Sequence, residues 1–230
     1  MIGEYDHKTG KVSRPLVVYD KQGVNDPHDN PSLLIDDNGY LWVFVSGRGS
    51  RRPGFKFRSR KPYSTDSFIQ VTEEEMTYPQ PWKTASGFFH FFTKYTGVRQ
   101  LYFEISYDGI SWSDDKLLAA IQGSAGGRSG HYQTSACFNG RKVGTFFNRH
   151  PDGVADKRTD LYYVETDDMG NSWKNAEGHI LRIPLIERDN PARVVDYESQ
   201  KKNIYMKDMG FTGEGFPVCL YIRSNGHEPG

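Results

Sequence analysis

The residues of this chain suited to proton transfer beside a negative charge fall at recurring places. His28 stands with Asn30, Tyr78 with Gln80, and His131 with Tyr132 and Gln133, each set opening a short strand-like run. A cation closes the run that follows: Arg48, Lys94, Arg149 with His150 next to it, and Arg223. Imidazole takes up a proton near neutral pH, and a phenol can release one to a departing oxygen. Guanidinium and ammonium groups offset an anion. A base, an acid and a ring of cations in one mouth favour an anionic ligand.

Positioning these residues falls to a repeated unit. From His131 the chain reads as three aromatic and β-branched runs broken by turn residues: a first run interrupted by Asn139-Gly140, Phe146 to His150, and Leu161 to Glu165. A hairpin, Thr166 to Trp173, and a fourth run, His179 to Ile186, follow. The same order recurs from Tyr78, with strands over Phe88–Lys94 and Leu101–Ile105 and a hairpin at Ser106–Trp112, and from Asn30, where the hairpin Ser59–Phe68 is degenerate. Four-stranded units at a period of roughly 40–50 residues predict an all-β fold, a β-propeller. Residues 28–70, 78–122 and 131–186 form complete blades on this reading. Residues 1–20 supply the last two strands of one blade and 203–226 the first two of another, so about four blades' worth of sheet lies in one partial propeller domain. Glu187 to Lys202 reads as an inserted excursion. In a blade the innermost strand comes first, so residues before strand one and after strand two emerge on the same face near the axis.

Composition narrows the classes. The 230 residues are 36% hydrophobic and 14% aromatic, with 29 basic against 29 acidic side chains. No global field favours nucleic acid or an anionic membrane. No apolar run is long enough to span a bilayer, and the opening residues do not read as a signal peptide. Cys137 and Cys219 read as small buried side chains.

The hairpins Ser106–Trp112 and Thr166–Trp173 resemble Asp-boxes, the Ser/Thr-x-Asp-x-Gly-x-Ser/Thr-Trp turns of the bacterial neuraminidase (BNR) repeat in sialidase-like propellers; the first is one residue short. Such boxes lie on the outer rim and identify a fold rather than a chemistry. The opening Asn25-Asp26-Pro27-His28-Asp29-Asn30-Pro31 is similar to that of a narrower group, which includes polysaccharide lyases acting on ulvan-like uronate polymers and enzymes that cleave rhamnose from glucuronate. The resemblance implies six or seven blades in a whole member, an internal piece here, self-association of an isolated piece, and a secreted or periplasmic location.

Two mechanisms fit such a mouth. In β-elimination from a uronate, Arg48 or Arg149 would offset the carboxylate, His28 or His131 would take the C5 proton, and Tyr78 or Tyr132 would protonate the leaving oxygen. Lyase relatives carry a second histidine where this chain has Arg48, which points to a single-histidine variant. Glycoside hydrolysis is the other, yet no carboxylate pair is evident, since the acids concentrate in turns and in Glu73-Glu74-Glu75, read as a solvated edge. Arg182-Ile183-Pro184 matches a sialidase signature but follows the Asp-boxes instead of preceding them. The catalytic candidates are therefore His28, His131, Tyr132, Arg149 and His150, and the substrate-binding ones Asn30, Arg48, Tyr78, Gln80, Lys94, Gln133 and Arg223.

No cofactor is implied. Cys/His spacing for zinc and a phosphate loop at Gly123–Gly130 are lacking, and Asp26 with Asp29 is too short for a calcium motif. The expected partner is an anionic glycan, and neither nucleic acid nor membrane. The structural alternatives stay open: His28 as a turn histidine, His131 and His150 as loop histidines bonded to backbone, the strand-end cations as solvated side chains, and the whole as a non-catalytic glycan-binding or inactive propeller.

Overall fold

The computed structural model describes residues 1–26, 28–123 and 126–226, and the loop reading over Gly123–Gly130 therefore falls partly outside the described residues. Two compact units divide the chain, Met1–Pro81 and Trp82–Gly230.

In the first, β1 (Tyr5–Asp6) and β2 (Lys11–Val12) form a hairpin. Strands β3 (Ser32–Ile35), β4 (Leu41–Val45), β5 (Gly54–Ser59) and β6 (Phe68–Glu74) follow as one antiparallel sheet in chain order. The sequence of β4, Leu-Trp-Val-Phe-Val, has no polar position and is buried along its whole length, as a strand covered on both faces must be. Its Val43 and Val45 pack with Phe55 and Phe57 of β5. The β3–β4 turn is closed by Asp36, whose carboxylate accepts the amides of Asn38 and Tyr40 at 2.9 and 3.0 Å and the indole N–H of Trp42 at 2.9 Å. That turn fixes the register Ser32↔Phe44 to Ile35↔Leu41 and so sets where β4 ends and Arg48 begins its loop. The acidic run is only partly the solvated edge expected: β6 is the edge strand and Glu73 is exposed, but Glu74 is half-buried and pairs at 2.5 Å with Lys56, whose side chain is fully enclosed.

In the second unit the sheet order is β7-β8-β9-β10, from β7 (Thr77–Thr84), which begins just before the boundary, through β8 (Gly87–Tyr95) and β9 (Arg99–Ser106) to β10 (Lys116–Ala119). The next sheet runs β11 (Gln133–Phe138), β12 (Lys142–Arg149), β13 (Thr159–Thr166), β14 (Trp173–Lys174) and β15 (Ile180–Leu181). The excursion after it adds a short strand, β16 (Arg193–Val195), to β13. Strands β17 (Asn203–Phe211) and β18 (Pro217–Ser224) pair by themselves. The core centres on Phe89, Phe91, Phe103 and Trp173, with Trp173 and Phe103 ring centres 5.0 Å apart in an edge-to-face contact.

Both Asp-boxes are built as their chemistry requires. Asp168 accepts the Ser172 amide at 2.9 Å and the Thr166 hydroxyl at 2.8 Å, and Asp108 accepts the amides of Ile110 and Ser111 at 2.8 and 2.7 Å. Gly170 holds φ at +80°, and a Cβ there would lie 2.5 Å from the Phe103 ring. The turn thereby delivers Trp173 into the core, where truncation of so large a side chain costs roughly 3–5 kcal/mol.

Candidate active site

In the first unit the side chains converge on Asp26. Its Oδ1 lies 2.6 Å from His28 Nδ1 and accepts the His28 amide at 3.0 Å. Its Oδ2 accepts Arg48 Nη1 at 2.9 Å and Arg52 Nη2 at 2.6 Å. Arg52 also reaches Asp29 at 3.2 Å, and Lys21 pairs with the other Asp29 oxygen at 2.7 Å. The Arg52 hydrogen bond, followed by the His28 amide, holds the Asp26 carboxyl well below the usual carboxylate range, so it is an anion at any working pH. A carboxylate on Nδ1 fixes the tautomer: Nδ1 carries the hydrogen and Nε2 the lone pair. The His28 side chain is 43% exposed, which leaves that lone pair available to a ligand. Arg48, exposed, brings Nη1 to 3.2 Å from the same Nδ1, where both groups donate to Asp26 and not to each other, and its bond to Asp26 raises its pKa further. The ring of Tyr78 lies 6.1 Å from that of His28, centre to centre.

The backbone explains this convergence. Beyond β4, Gly47 passes so close to the returning chain that a Cβ would fall 2.2 Å from the Arg52 carbonyl oxygen. The tight loop, closed by Arg48 N–H to Arg52 O at 2.6 Å, brings both guanidiniums to one carboxylate. Tyr78 holds φ at +54°, with its amide on Ser46 Oγ at 3.1 Å. Of the candidates, His28, Arg48 and Tyr78 are brought together. Asn30 is exposed nearby in sequence, and Gln80 lies half-buried in β7.

The second unit treats its candidates differently. His131 is completely buried: Nδ1 donates to the Asn148 carbonyl at 2.9 Å, and Nε2 accepts the Ile121 amide at 3.2 Å. Burial pushes its pKa down to about 4, so it is a neutral structural histidine with both nitrogens committed. His150 is 1% exposed and pushed down to about 3, first by burial and then by His131, Arg158 and Arg99. Tyr132 is half-buried beside it, ring centres 4.6 Å apart. Two guanidiniums lie over the phenol ring, Arg158 at 4.5 Å and Arg99 at 5.1 Å, and Arg99 donates to its hydroxyl at 3.2 Å.

Arg149 is not a solvent-facing cation. Its Nε donates to Asp160 at 2.8 Å, its Nη2 to Glu198, and its side chain is 2% exposed. Asp160 is held by the amides of Tyr197 and Glu198, both at 2.9 Å, and Arg188 joins Glu198 at 2.8 Å and Asp196 at 2.9 Å. The inserted excursion is thus a strap whose Glu198, together with Asp160 of β13, neutralises a buried arginine. Lys94 pairs with Asp115, and Gln133 bridges the Phe92 carbonyl and the Thr145 hydroxyl, each at 3.3 Å. Arg223 alone among the second unit's strand-end cations is exposed. The ring of cations expected at the strand ends therefore divides into an exposed arginine on an anionic aspartate, a paired lysine, a buried ion pair and an exposed side chain.

A model of the BNR repeat-containing family matches residues 1–228. The chain belongs to that family. As a member it is 23% identical over 229 residues to an ulvan lyase of Alteromonas sp. (strain LOR), an alignment covering 80% of this chain and 45% of the relative. The same figures hold for Ulvan Lyase-PL25 of Pseudoalteromonas sp. (strain PLSV), so the chain spans about half the length of the curated relatives it matches. Among solved structures, a PL25 ulvan lyase bound to -[GlcA(1-4)Rha3S]- superposes with a TM-score of 0.79 at 17% identity, over 98% of this chain and 64% of the other. An α-L-arabinanase of Penicillium chrysogenum gives 0.51 at 15% identity, over 83% and 56%. Together with the four-stranded sheets, these likenesses show the fold of this family member as an all-β propeller.

Within this BNR-repeat chain, residues that the sequence pattern did not single out complete the first site. Asp26 and Arg52 carry as much of its geometry as His28 does. The sequence reading gives Asp26 no site role beyond the opening motif and a calcium pair too short to count; the signal that finds it is a carboxylate two residues before a histidine, spacing that lets one side chain accept both the amide and Nδ1. Arg52 has no such signal, because it is delivered by the fold of the Gly47 loop.

Proposed function

We propose that this chain forms part of a carbohydrate-active propeller that cleaves a uronate-containing polysaccharide by β-elimination at the Asp26–His28–Arg48–Tyr78 cluster. One observation carries the reading: a half-exposed histidine whose Nδ1 is bonded at 2.6 Å to an aspartate, with an exposed arginine beside it. His28 Nε2 removes the C5 proton of the uronate as the C4–O bond breaks and the C4–C5 double bond forms. Arg48 offsets the sugar carboxylate, which is what makes the C5 proton acidic, and the Tyr78 hydroxyl protonates the leaving oxygen. Asp26 keeps the histidine in the tautomer that presents a lone pair.

Hydrolysis by a carboxylate pair is the weaker reading, because Asp26 is already engaged by two arginines and His28 and is not free to act as nucleophile or acid. The ligand on this reading is an anionic glycan, in keeping with the uronate-bearing oligosaccharide held by the superposed ulvan lyase. Polymers of that size are met outside the membrane, so export is a corollary. Among the described residues no helix is long and apolar enough to cross a membrane.

The test is ultraviolet absorbance of uronate polymers after incubation with the parent and with His28→Ala. Absorbance rising with the parent and not with the variant supports elimination by His28. Folded parent that yields neither absorbance nor reducing ends sinks the enzymatic reading and leaves glycan binding. Reducing ends without absorbance transfer the site to hydrolysis.

A further inference from the structure

The second unit holds a cleft that the chemistry above does not use. It has a volume of about 530 Å³ and lies between the loop ahead of β13 and the turn ahead of β17, with Lys157, Lys201 and Lys202 on its walls. Among the described residues Lys157 and Lys201 are exposed and make no ion pair, while Lys202 is held by Asn225. Two acids also line the cleft. Glu198 is neutralised by Arg149 and Arg188, so the lining carries three lysines and one other acid, Asp152.

The walls are tied to each other. Ile204 donates its amide to the Arg158 carbonyl at 2.7 Å, and Thr159 Oγ1 donates to the Lys202 carbonyl at 3.1 Å. Ligand binding therefore does not have to order the backbone first. A cleft of this volume accommodates a small ligand or a few sugar units, and an excess of cations along the walls of a concave site favours an anion. In a blade, the loop after strand two and the residues before the next strand one belong to the same face.

We propose that this cleft is an anion-binding subsite for a sulfate- or carboxylate-bearing sugar, held by Lys157, Lys201 and Lys202. The proposal rests on the glycan reading above and adds a second place at which the polymer is gripped. It predicts a division of labour: the lysines set affinity and its salt dependence, and His28 sets turnover.

Binding is measured by titration calorimetry at low and at moderate salt. The probes are a sulfate-free polyglucuronate and a sulfated neutral galactan, and the proteins are the parent, His28→Ala and the double variant Lys157→Glu/Lys201→Glu. Two exposed charge contacts reversed together are expected to weaken binding by about tenfold or more, with a shallower salt dependence. A loss confined to the galactan assigns the subsite to sulfate, one confined to the polyglucuronate assigns it to carboxylate, and a loss on both assigns it to either anion. Affinity unchanged by the double variant, or a folded parent that binds neither polymer, overturns the subsite. Binding that survives in His28→Ala while no polymer is ever cleaved overturns the elimination reading alone.

Discussion

His28 and His131 occupy corresponding places in their repeats, each just ahead of the first strand of a sheet, and the structure gives them opposite characters. His28 has a carboxylate on Nδ1 and a 43% exposed side chain. His131 has backbone groups on both nitrogens and no exposure. The same contrast separates the cations that close the second strands: Arg48 lies exposed on Asp26, whereas Arg149 is sealed against Asp160 and Glu198. A blade repeat fixes where a side chain emerges. What covers it decides whether it does chemistry or holds the fold: His131 is enclosed by the backbone at Ile121 and Asn148, and Arg149 by Asp160 of β13 with Glu198 of the 187–202 strap.

Substitution at the two histidines separates them most widely. Replacing His28 by Ala is expected to lower turnover of a uronate polymer by about 10²- to 10⁴-fold, the usual contribution of a general base, with little change in melting temperature. Removing a buried side chain at His131 leaves the Ile121 amide and the Asn148 carbonyl without partners, so the loss there appears as stability. Equal loss of activity at matched stability in the two variants would abolish the distinction.

Arg149→Ala comes next. Removing one partner of a buried ion pair leaves Asp160 with only the more distant Arg188 Nε at 3.5 Å and two backbone amides, so the cost is expected to reach at most about 3–5 kcal/mol. Chemical denaturation is expected to show a transition shifted to lower denaturant, and protease cleavage within the 187–202 strap is expected to accelerate. A stable Arg149→Ala protein with impaired turnover would instead return Arg149 to the catalytic group.

These contrasts mark how far the sequence could be read. Strand order and the Asp-box turns were legible because each depends on local chemistry: the buried run Leu41–Val45, the Asp168 and Asp108 turns, the glycine at +80° before Trp173. His28 was legible because its Asp–x–His spacing is local as well. The burial of His131, His150 and Arg149 was not. For Arg149 it depends on Asp160 of β13 and on Glu198, distant in sequence and brought in by an excursion whose strand β16 is three residues long; for His131 it depends on the Ile121 amide and the Asn148 carbonyl. Nor was Arg52, since its place on Asp26 follows from a close backbone approach at Gly47.

Acid titration sharpens the comparison further. His131 and His150 fall from 6.5 to about 4 and about 3 on folding, so the folded state binds protons less readily than the unfolded chain. Their contribution is present above pH 6.5 and is lost as pH falls towards those values, by about 1.5 kcal/mol for each histidine between pH 6.5 and 5. Asp26, depressed as well but from an ordinary value of 3.8, contributes above that value and loses its contribution only at lower pH. Unfolding midpoints measured at pH 7, 6 and 5 should therefore decline already above pH 5. In His131→Gln the slope should be shallower by about half. A flat profile over that range would mean that the two rings are hydrated, and the contrast with His28 would close.

Arg223 gives the smallest effect and isolates what remains of the cation ring. It is exposed on β18, opposite Ile204 of β17, and no ion pair holds it among the described residues. Exposed substitutions away from caps and cores change stability by less than about 0.5 kcal/mol, so Arg223→Ala should melt with the parent. Its only expected consequence is electrostatic: a modest loss of affinity for an anionic polymer that disappears as salt shortens the reach of the charge to roughly 8 Å at physiological ionic strength. If affinity is the same at low salt, strand-end position by itself carries no function in this propeller. Anion binding at the mouth then falls to the Asp26 cluster alone, where cation, histidine and carboxylate are within hydrogen-bond reach of one another.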